Sequence, residues 1–219
     1  LNNLRHLEFV NTKVRKMPMH LGRLKTLQVL SSFYVGKSCE FNINQLKGLN
    51  LHGGLSIGEL QNIVNPADAF AASLKNKTHL VQLKLEWNLN QIPDDTRKEK
   101  EVLENLQPSK HLKDLSINNY GGTQFPSWLS DVNVVSLRLE DRKYCVVLPP
   151  FGLLPFLKEL MIKGLDGIVS IGAEFYGTSS SSFTSLEGLE LCNMKEWEEW
   201  ECKAAFPRLQ YLSLDEYSS

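Results

Sequence analysis

The stretch CNMKEWEEWECKAAFPRL, Cys192 to Leu209, gathers four glutamates, two tryptophans and two cysteines. A carboxylate pair flanked by tryptophans is the equipment of a carbohydrate-active enzyme. One carboxyl protonates the leaving oxygen, the other attacks or activates water, and the indoles stack on sugar. The Trp/Glu loop at 196–201 would be its centre. The competing reading makes this a loop after the strand Leu189-Glu190-Leu191. There Met194 and Trp197 turn inward to cap the core, and Glu196, Glu198 and Glu199 face water. Four carboxylates within six residues need only a solvated face. Apolar residues at a fixed offset in a repeat are usually packing, so the loop reading is preferred. Cys192 and Cys202 could ligate a metal, but no histidine lies nearby and the spacing fits no common zinc framework.

Other reactive residues are dispersed. His6, His20, His52, His79 and His111 form no cluster, and His6, His79 and His111 each sit just before a repeat leucine or strand, as turn residues do. No G-x-S-x-G elbow and no G-x-x-x-x-G-K-[ST] phosphate loop is present. The serine run Ser179 to Ser182 reads as a flexible insertion loop, and PDDTRKEKE (Pro93 to Glu101) as a solvated loop and helix start. The basic cluster Lys13-Val14-Arg15-Lys16 is too short to indicate nucleic-acid binding. No catalytic, cofactor-binding or metal-binding residue is assigned.

The bulk properties exclude several classes. The chain has 219 residues, a hydrophobic fraction of 42% and a net charge of −1, so no overall field draws it to nucleic acid or an anionic membrane. No apolar run approaches the roughly 20 residues of a membrane span. Cys39, Cys145, Cys192 and Cys202 form no CxxC pair and read as reduced thiols. A lone sequon, Asn76-Lys77-Thr78, points the other way and carries little weight. The chain opens on Leu1, in mid-pattern, and closes on LSLDEYSS just after a strand; both ends read as truncated, as in a fragment of a longer chain. Uncapped ends would expose leucine core and favour aggregation.

What positions these residues is a repeat. An L-x-L unit with a leucine three residues before it recurs: Leu4, Leu7 and Phe9; Leu80, Leu83 and Leu85; Leu112, Leu115 and Ile117; Val134, Leu137 and Leu139; Leu157, Leu160 and Ile162; Leu186, Leu189 and Leu191; Leu209, Leu212 and Leu214. Weaker copies at Leu24, Leu27 and Leu30, and at Leu55, Ile57, Leu60 and Asn62, fill the early gap. The central positions 7, 30, 55, 83, 115, 137, 160, 189 and 212 are separated by 22 to 32 residues. The period-2 core is a strand signature, not that of a helical bundle. One such strand cannot bury its apolar face alone, whereas stacked copies form a parallel sheet over a continuous leucine core. The expected fold is an α/β leucine-rich-repeat solenoid, a horseshoe with the sheet on its concave face, in one domain of about nine irregular repeats over residues 1–219. Asn65 to Lys75 and Thr96 to Leu106 are expected to be helical return segments.

Five blocks also resemble a family. They are IGELQNIVNPADAFAASLKNKTHLVQLKLEW (Ile57 to Trp87), LQPSKHLKDLSINNYGGTQFPSWL (Leu106 to Leu129), LPPFGLLPFLKEL (Leu148 to Leu160), IGAEFYG (Ile171 to Gly177), and MKEWEEWE before FPRL. In order they resemble the leucine-rich-repeat region of plant intracellular disease-resistance receptors, which join a coiled coil, a nucleotide-binding NB-ARC domain and repeats. The resemblance implies a non-catalytic protein-interaction module in plant innate immunity. Its partners would be a pathogen effector or host guardee and, in cis, the receptor's own nucleotide-binding domain; its location would be cytoplasmic. ATP or ADP would belong to that domain, and with no phosphate loop here no residue inherits it. Surface receptors with leucine-rich repeats resemble a regular period-24 pattern rich in G-x-I-P with paired cysteine caps, which this chain lacks.

The expected partner-binding residues are the non-leucine residues of the strands: Glu8, Lys84, Glu86, Ser116, Asn118, Arg138, Glu140, Met161, Lys163, Glu190, Ser213 and Asp215. Their sign alternates between copies, which suits a protein better than a nucleic acid. Trp87 is assigned to the same face as a candidate anchor, against the alternative that it packs on the neighbouring copy's insertion. Two further function classes stand beside the binding module: the carbohydrate-active enzyme above and an inert repeat fragment.

Overall fold

The computed structural model describes residues 3–90, 92, 93, 95–140, 144–177, 182–201 and 205–216, apart from the side chain of Cys39. Cys202, Asp94 and Ser179 to Ser181 lie outside the described residues, so the readings that fall on them are not addressed. Eight strands form one parallel sheet: β3 (Ser32–Tyr34), β4 (Gly53–Gly58), β5 (Leu80–Glu86), β6 (Asp114–Asn118), β7 (Ser136–Glu140), β8 (Glu159–Lys163), β10 (Gly188–Cys192) and β12 (Tyr211–Asp215). Neighbours in the sheet are neighbours in sequence, except for short interposed strands. β1 (His6–Leu7) pairs in parallel with β2 (Val29–Leu30), and β9 (Ser170–Ile171) with β11 (Glu199–Trp200).

The register explains why the L-x-L unit recurs. Leu55, Leu83, Leu115, Leu137, Leu160, Leu189 and Leu212 stand side by side across the sheet, and so do Ile57, Leu85, Ile117, Leu139, Ile162, Leu191 and Leu214. From Leu55 to Leu191 these side chains are almost fully buried. Each such leucine contributes about 2 kcal/mol of transfer free energy. Leu212 and Leu214 depart from the expected burial, at 45% and 49% exposed, because among the described residues no strand lies beyond β12.

Strand exits follow a local rule. The residue after β4, β6, β8 and β10 takes a left-handed conformation: Glu59, Asn119, Gly164 and Asn193, with φ between 51° and 69°. Asparagine and glycine tolerate this region best. Asn119, Gly164 and Asn193 each donate a backbone N–H to the last residue of the next strand, at 2.8–2.9 Å. The turn therefore ties each rung to its neighbour.

The return segments carry α1 (Pro66–Ala71), α2 (Thr96–Asn105), α3 (Ala173–Tyr176) and short 3-10 turns. Asn65 caps α1, its Oδ1 accepting the Ala67 N–H at 3.1 Å, with Pro66 preset for the first helical position. Asp95 caps α2 through the N–H groups of Arg97 and Lys98. α1 stops at Ala71, short of the expected Lys75, because the chain passes through a left-handed Ser73 into a 3-10 turn, Leu74–Asn76. Among the described residues no helix is long and apolar enough to cross a membrane.

Candidate functional site

One face of the sheet is buried leucine and the other is polar, so the polar face is where neighbouring strands can act together. Three rows cross it. The middle row runs Ser32, Ser56, Lys84, Ser116, Arg138, Met161, Glu190, Ser213, and a second runs Glu86, Asn118, Glu140, Lys163, Cys192, Asp215; two residues beyond Ser32 and Ser56, Tyr34 pairs with Gly58. The expected residues from Lys84 to Asp215, Trp87 excepted, are thus brought onto one surface, in two adjacent rows. Glu8 is exposed but lies beyond β1, outside these rows. A third row was missed by sequence reasoning: Gly54, Gln82, Asp114, Ser136, Glu159, Gly188 and Tyr211. Its signal was available, since these residues share the parity of the other two rows, two positions earlier in each strand.

Hydrogen bonds link the rows across and along strands. Gln82 Nε2 donates to Asp114 Oδ2 at 3.0 Å, and Asn118 Nδ2 to Glu140 Oε2 at 3.4 Å. Lys84 Nζ lies 3.3 Å from Glu86 Oε1 on its own strand, a pairing of two partly exposed groups worth well under about 1 kcal/mol. Arg138 is exposed between Ser116 and Met161. Gly54, Ser56 and Ser116 carry little or no side chain, and a depression of about 370 Å³ opens there, bordered by Gln82, Lys84, Asp114 and Arg138. Cys192, half-buried on the second row, has its thiol pushed up by burial and then by the carboxylates of Glu190 and Asp215.

Trp87 does not belong to this face. The alternation that turns Lys84 and Glu86 outward places Trp87 with Leu83 and Leu85, and it is 3% exposed. Its Nε1 donates to the Glu99 carboxylate, itself buried on α2. Its ring meets Tyr120 edge-on at 5.2 Å, and the Tyr120 hydroxyl donates to the Gln124 carbonyl at 2.7 Å. Burial, then Cys145, Glu99 and Glu104, push that hydroxyl well above the usual tyrosine range. Glu99 departs from the reading of residues 93–101 as a solvated loop and helix start: its carboxylate is buried and accepts from the Trp87 indole.

The Trp/Glu loop is built into the fold. Glu199–Trp200 pairs with Ser170–Ile171, Met194 is 6% exposed, and Trp197 and Trp200 pack against the core. Trp200 Nε1 donates to the Tyr176 hydroxyl at 2.9 Å, and Trp197 Nε1 to the Glu199 carbonyl at 2.9 Å. Glu196, Glu198, Glu199 and Glu201 are exposed. The indoles are thus used in packing instead of standing free beside the carboxylates. Ser182 departs from the flexible-loop reading: it is 7% exposed and its hydroxyl donates to the Tyr176 carbonyl at 2.9 Å. Among the described residues no group of three or more His, Cys, Asp or Glu could hold a metal ion.

The family of R13L1/DRL21 LRRs matches residues 43–165, more than half of the chain. The chain belongs to this leucine-rich-repeat family. RPP13-like protein 1 of Arabidopsis thaliana, whose name assigns it to disease resistance, is 43% identical over 188 residues, covering 78% of this chain and 18% of the relative. The disease-resistance relatives RGA1 and RGA4 of Solanum bulbocastanum are 35% and 33% identical, covering 90% and 95% of the chain and 20% and 22% of their own lengths. The chain therefore spans less than a quarter of these relatives, and corresponds to the leucine-rich-repeat region of a plant disease-resistance protein. No solved structure gives a significant match.

Proposed function

We propose that the chain is a single domain of about nine repeats whose polar sheet face is a protein-docking surface for plant defence in the cytoplasm. It recognises a pathogen effector or a host protein in one state and holds the receptor's own nucleotide-binding domain in the other. The observation that supports this most is the register: residues 22 to 32 apart in sequence form rows of mixed charge around a depression floored by small residues. Such a surface offers shape and alternating charge, which select one protein partner over another. Two described cysteines, Cys145 and Cys192, are free thiols, in keeping with a reducing compartment. Switching is a population shift, in which the effector must bind the open state better than the closed one.

The test is charge reversal within the intact receptor. Lys84→Glu and Arg138→Glu are expected to alter partner binding and activation while the melting temperature stays within a few degrees of the parent. Unchanged binding and signalling in both variants would show that the polar face is not the docking surface.

A further inference from the structure

A second surface, at the β3 end of the sheet, carries a different chemistry. The net charge of −1 conceals a gradient along the solenoid. Residues 1–52 hold eight Lys/Arg against two Asp/Glu, residues 53–165 hold thirteen of each, and residues 166–219 hold three against ten. The basic end has a shaped feature. A groove of about 280 Å³ runs between Arg15, Lys16 and Met17 on one side and Tyr34 with the Gly36–Phe41 turn on the other. That turn is closed by the Gly36 N–H donating to the Phe41 carbonyl at 2.9 Å and the Phe41 N–H to the Ser38 carbonyl at 3.0 Å.

Two cations of this groove, Arg15 and Lys16, lie on rings and not beside acids, and Arg15 also donates to the Val14 carbonyl at 3.2 Å. The Arg15 guanidinium lies 4.7 Å from the Tyr34 ring centre, and Lys16 Nζ lies 5.3 Å from that of Phe41. Lys37, the residue after Gly36 in the turn, is exposed and lines the groove as the third cation. Among the described residues Arg15, Lys16 and Lys37 have no ion-pair partner, and Glu40, the acid of the turn, does not line the groove. A cation on an aromatic face keeps its outward side free for an anion while its rotamer is already fixed, which lowers the ordering cost of binding.

We infer that this groove is a docking site for an acidic polypeptide segment. Carboxylates of the segment meet Arg15, Lys16 and Lys37, and its apolar side chains lie against Tyr34, Phe41 and the buried Met17. Charge complementarity selects the segment. The groove is too short and carries too few cations to track a nucleic-acid backbone, whose binding scales with the number of phosphates neutralised. Tyr34, the β3 partner of Gly58, lies at the margin of the sheet face, but none of the three cations belongs to the proposed sheet-face surface, so the charge changes below test the groove independently of that reading.

The test is direct binding to the purified chain. The probe is a fluorescein-labelled octapeptide of alternating glutamate and leucine, with the glutamine–leucine peptide as its control. The expectation is saturable binding of the glutamate peptide only, weakening as NaCl rises from about 50 to about 500 mM. Arg15→Glu with Lys37→Glu should weaken it by about tenfold or more. The milder pair Arg15→Gln with Lys37→Gln should give an intermediate loss and serves if the reversal fails to fold. Lys75→Glu with Arg97→Glu changes the net charge equally at exposed sites elsewhere and should leave binding unchanged. Equal loss in that control pair, or equal binding of the glutamine peptide, would overturn the site. Tighter binding of duplex DNA or phosphatidylserine vesicles through the same residues would overturn the choice of a polypeptide, and concentration-dependent self-association abolished by Arg15→Glu would replace the partner with a second copy's acidic end.

Discussion

Lys77 is a lysine that the fold buries without an acid. It lies just before β5, is 4% exposed, and its Nζ donates to the carbonyls of Leu46 and Leu49, each at 2.7 Å. Burial first, and the charge of Lys25 second, lower its pKa to about 8. The unfolded chain, with Lys77 near 10.5, holds the proton more tightly than the folded one. Below pH 8 both states are protonated and the whole cost of burying the ammonium is present. Between pH 8 and 10.5 the unfolded state binds more protons, so stability rises with pH across that window. The gap between about 8 and 10.5, at 1.36 kcal/mol per pH unit, sets the gain at up to about 3 kcal/mol. A neutral amine still has protons for both carbonyls, so deprotonation removes the penalty and keeps the bonds. Lys77→Met supplies the reference, because it lacks the titration but keeps every other group. Cys145, whose thiol burial pushes up to about 11, and Tyr120 both act in the opposite direction above pH 9, and both cancel in the difference between the two proteins. Urea unfolding of each, followed by tryptophan fluorescence at half-unit steps from pH 7 to 10.5, gives that difference. It should grow in favour of the parent chain by up to about 3 kcal/mol as pH rises through the window. A flat difference would refute the claim that Lys77 enters the interior as a penalised cation.

Two further substitutions probe the packing that supports the polar face. Trp87→Phe removes the donor to buried Glu99 and part of the contact with Tyr120, and should destabilise by about 2–3 kcal/mol in urea unfolding; a change below about 0.5 kcal/mol would return Trp87 to the surface. Gly152→Ala would set a Cβ 2.4 Å from the backbone carbonyl oxygen of Tyr176, where no side chain can swing away, and should cost about 1–3 kcal/mol by thermal denaturation. A neutral result there would mean that the two return segments are not in contact.

The leucine ladders were legible because their signal is redundant: each L-x-L states its own period, and each copy restates it. The caps at Asn65 and Asp95 were legible because they obey a local chemistry. Trp87 was misplaced by a parity slip, since a residue two beyond Leu85 continues the buried face, and its true partner Glu99 comes from a helix twelve residues on. The Gly54-to-Tyr211 row was missed because it is formed by the residue immediately before each L-x-L unit, where no repeated residue type marks it. The left-handed exits could be read at Asn119, Gly164 and Asn193, but Glu59 occupies the same conformation with a side chain that gives no hint of it.

The candidate functional residues were harder to read than the core for a physical reason. In a solenoid the chemistry of the open face is made by residues one rung apart in space and 22 to 32 apart in sequence, so no contiguous window contains a site. The motif-like stretches are therefore poor guides. The glutamate–tryptophan loop, dense in reactive types, spends its indoles on the packing around Tyr176 and Phe206. Lys13 to Lys16, dismissed as too short, gains force only when the fold sets Arg15 on Tyr34 and Lys16 on Phe41 and brings Lys37 beside them. Net charge erred in the same way, by summing a basic end and an acidic end into −1. Because each rung contacts only its neighbours, the two ends cannot neutralise one another within one molecule. The gradient therefore persists in the folded chain and gives the two ends opposite preferences for a charged partner.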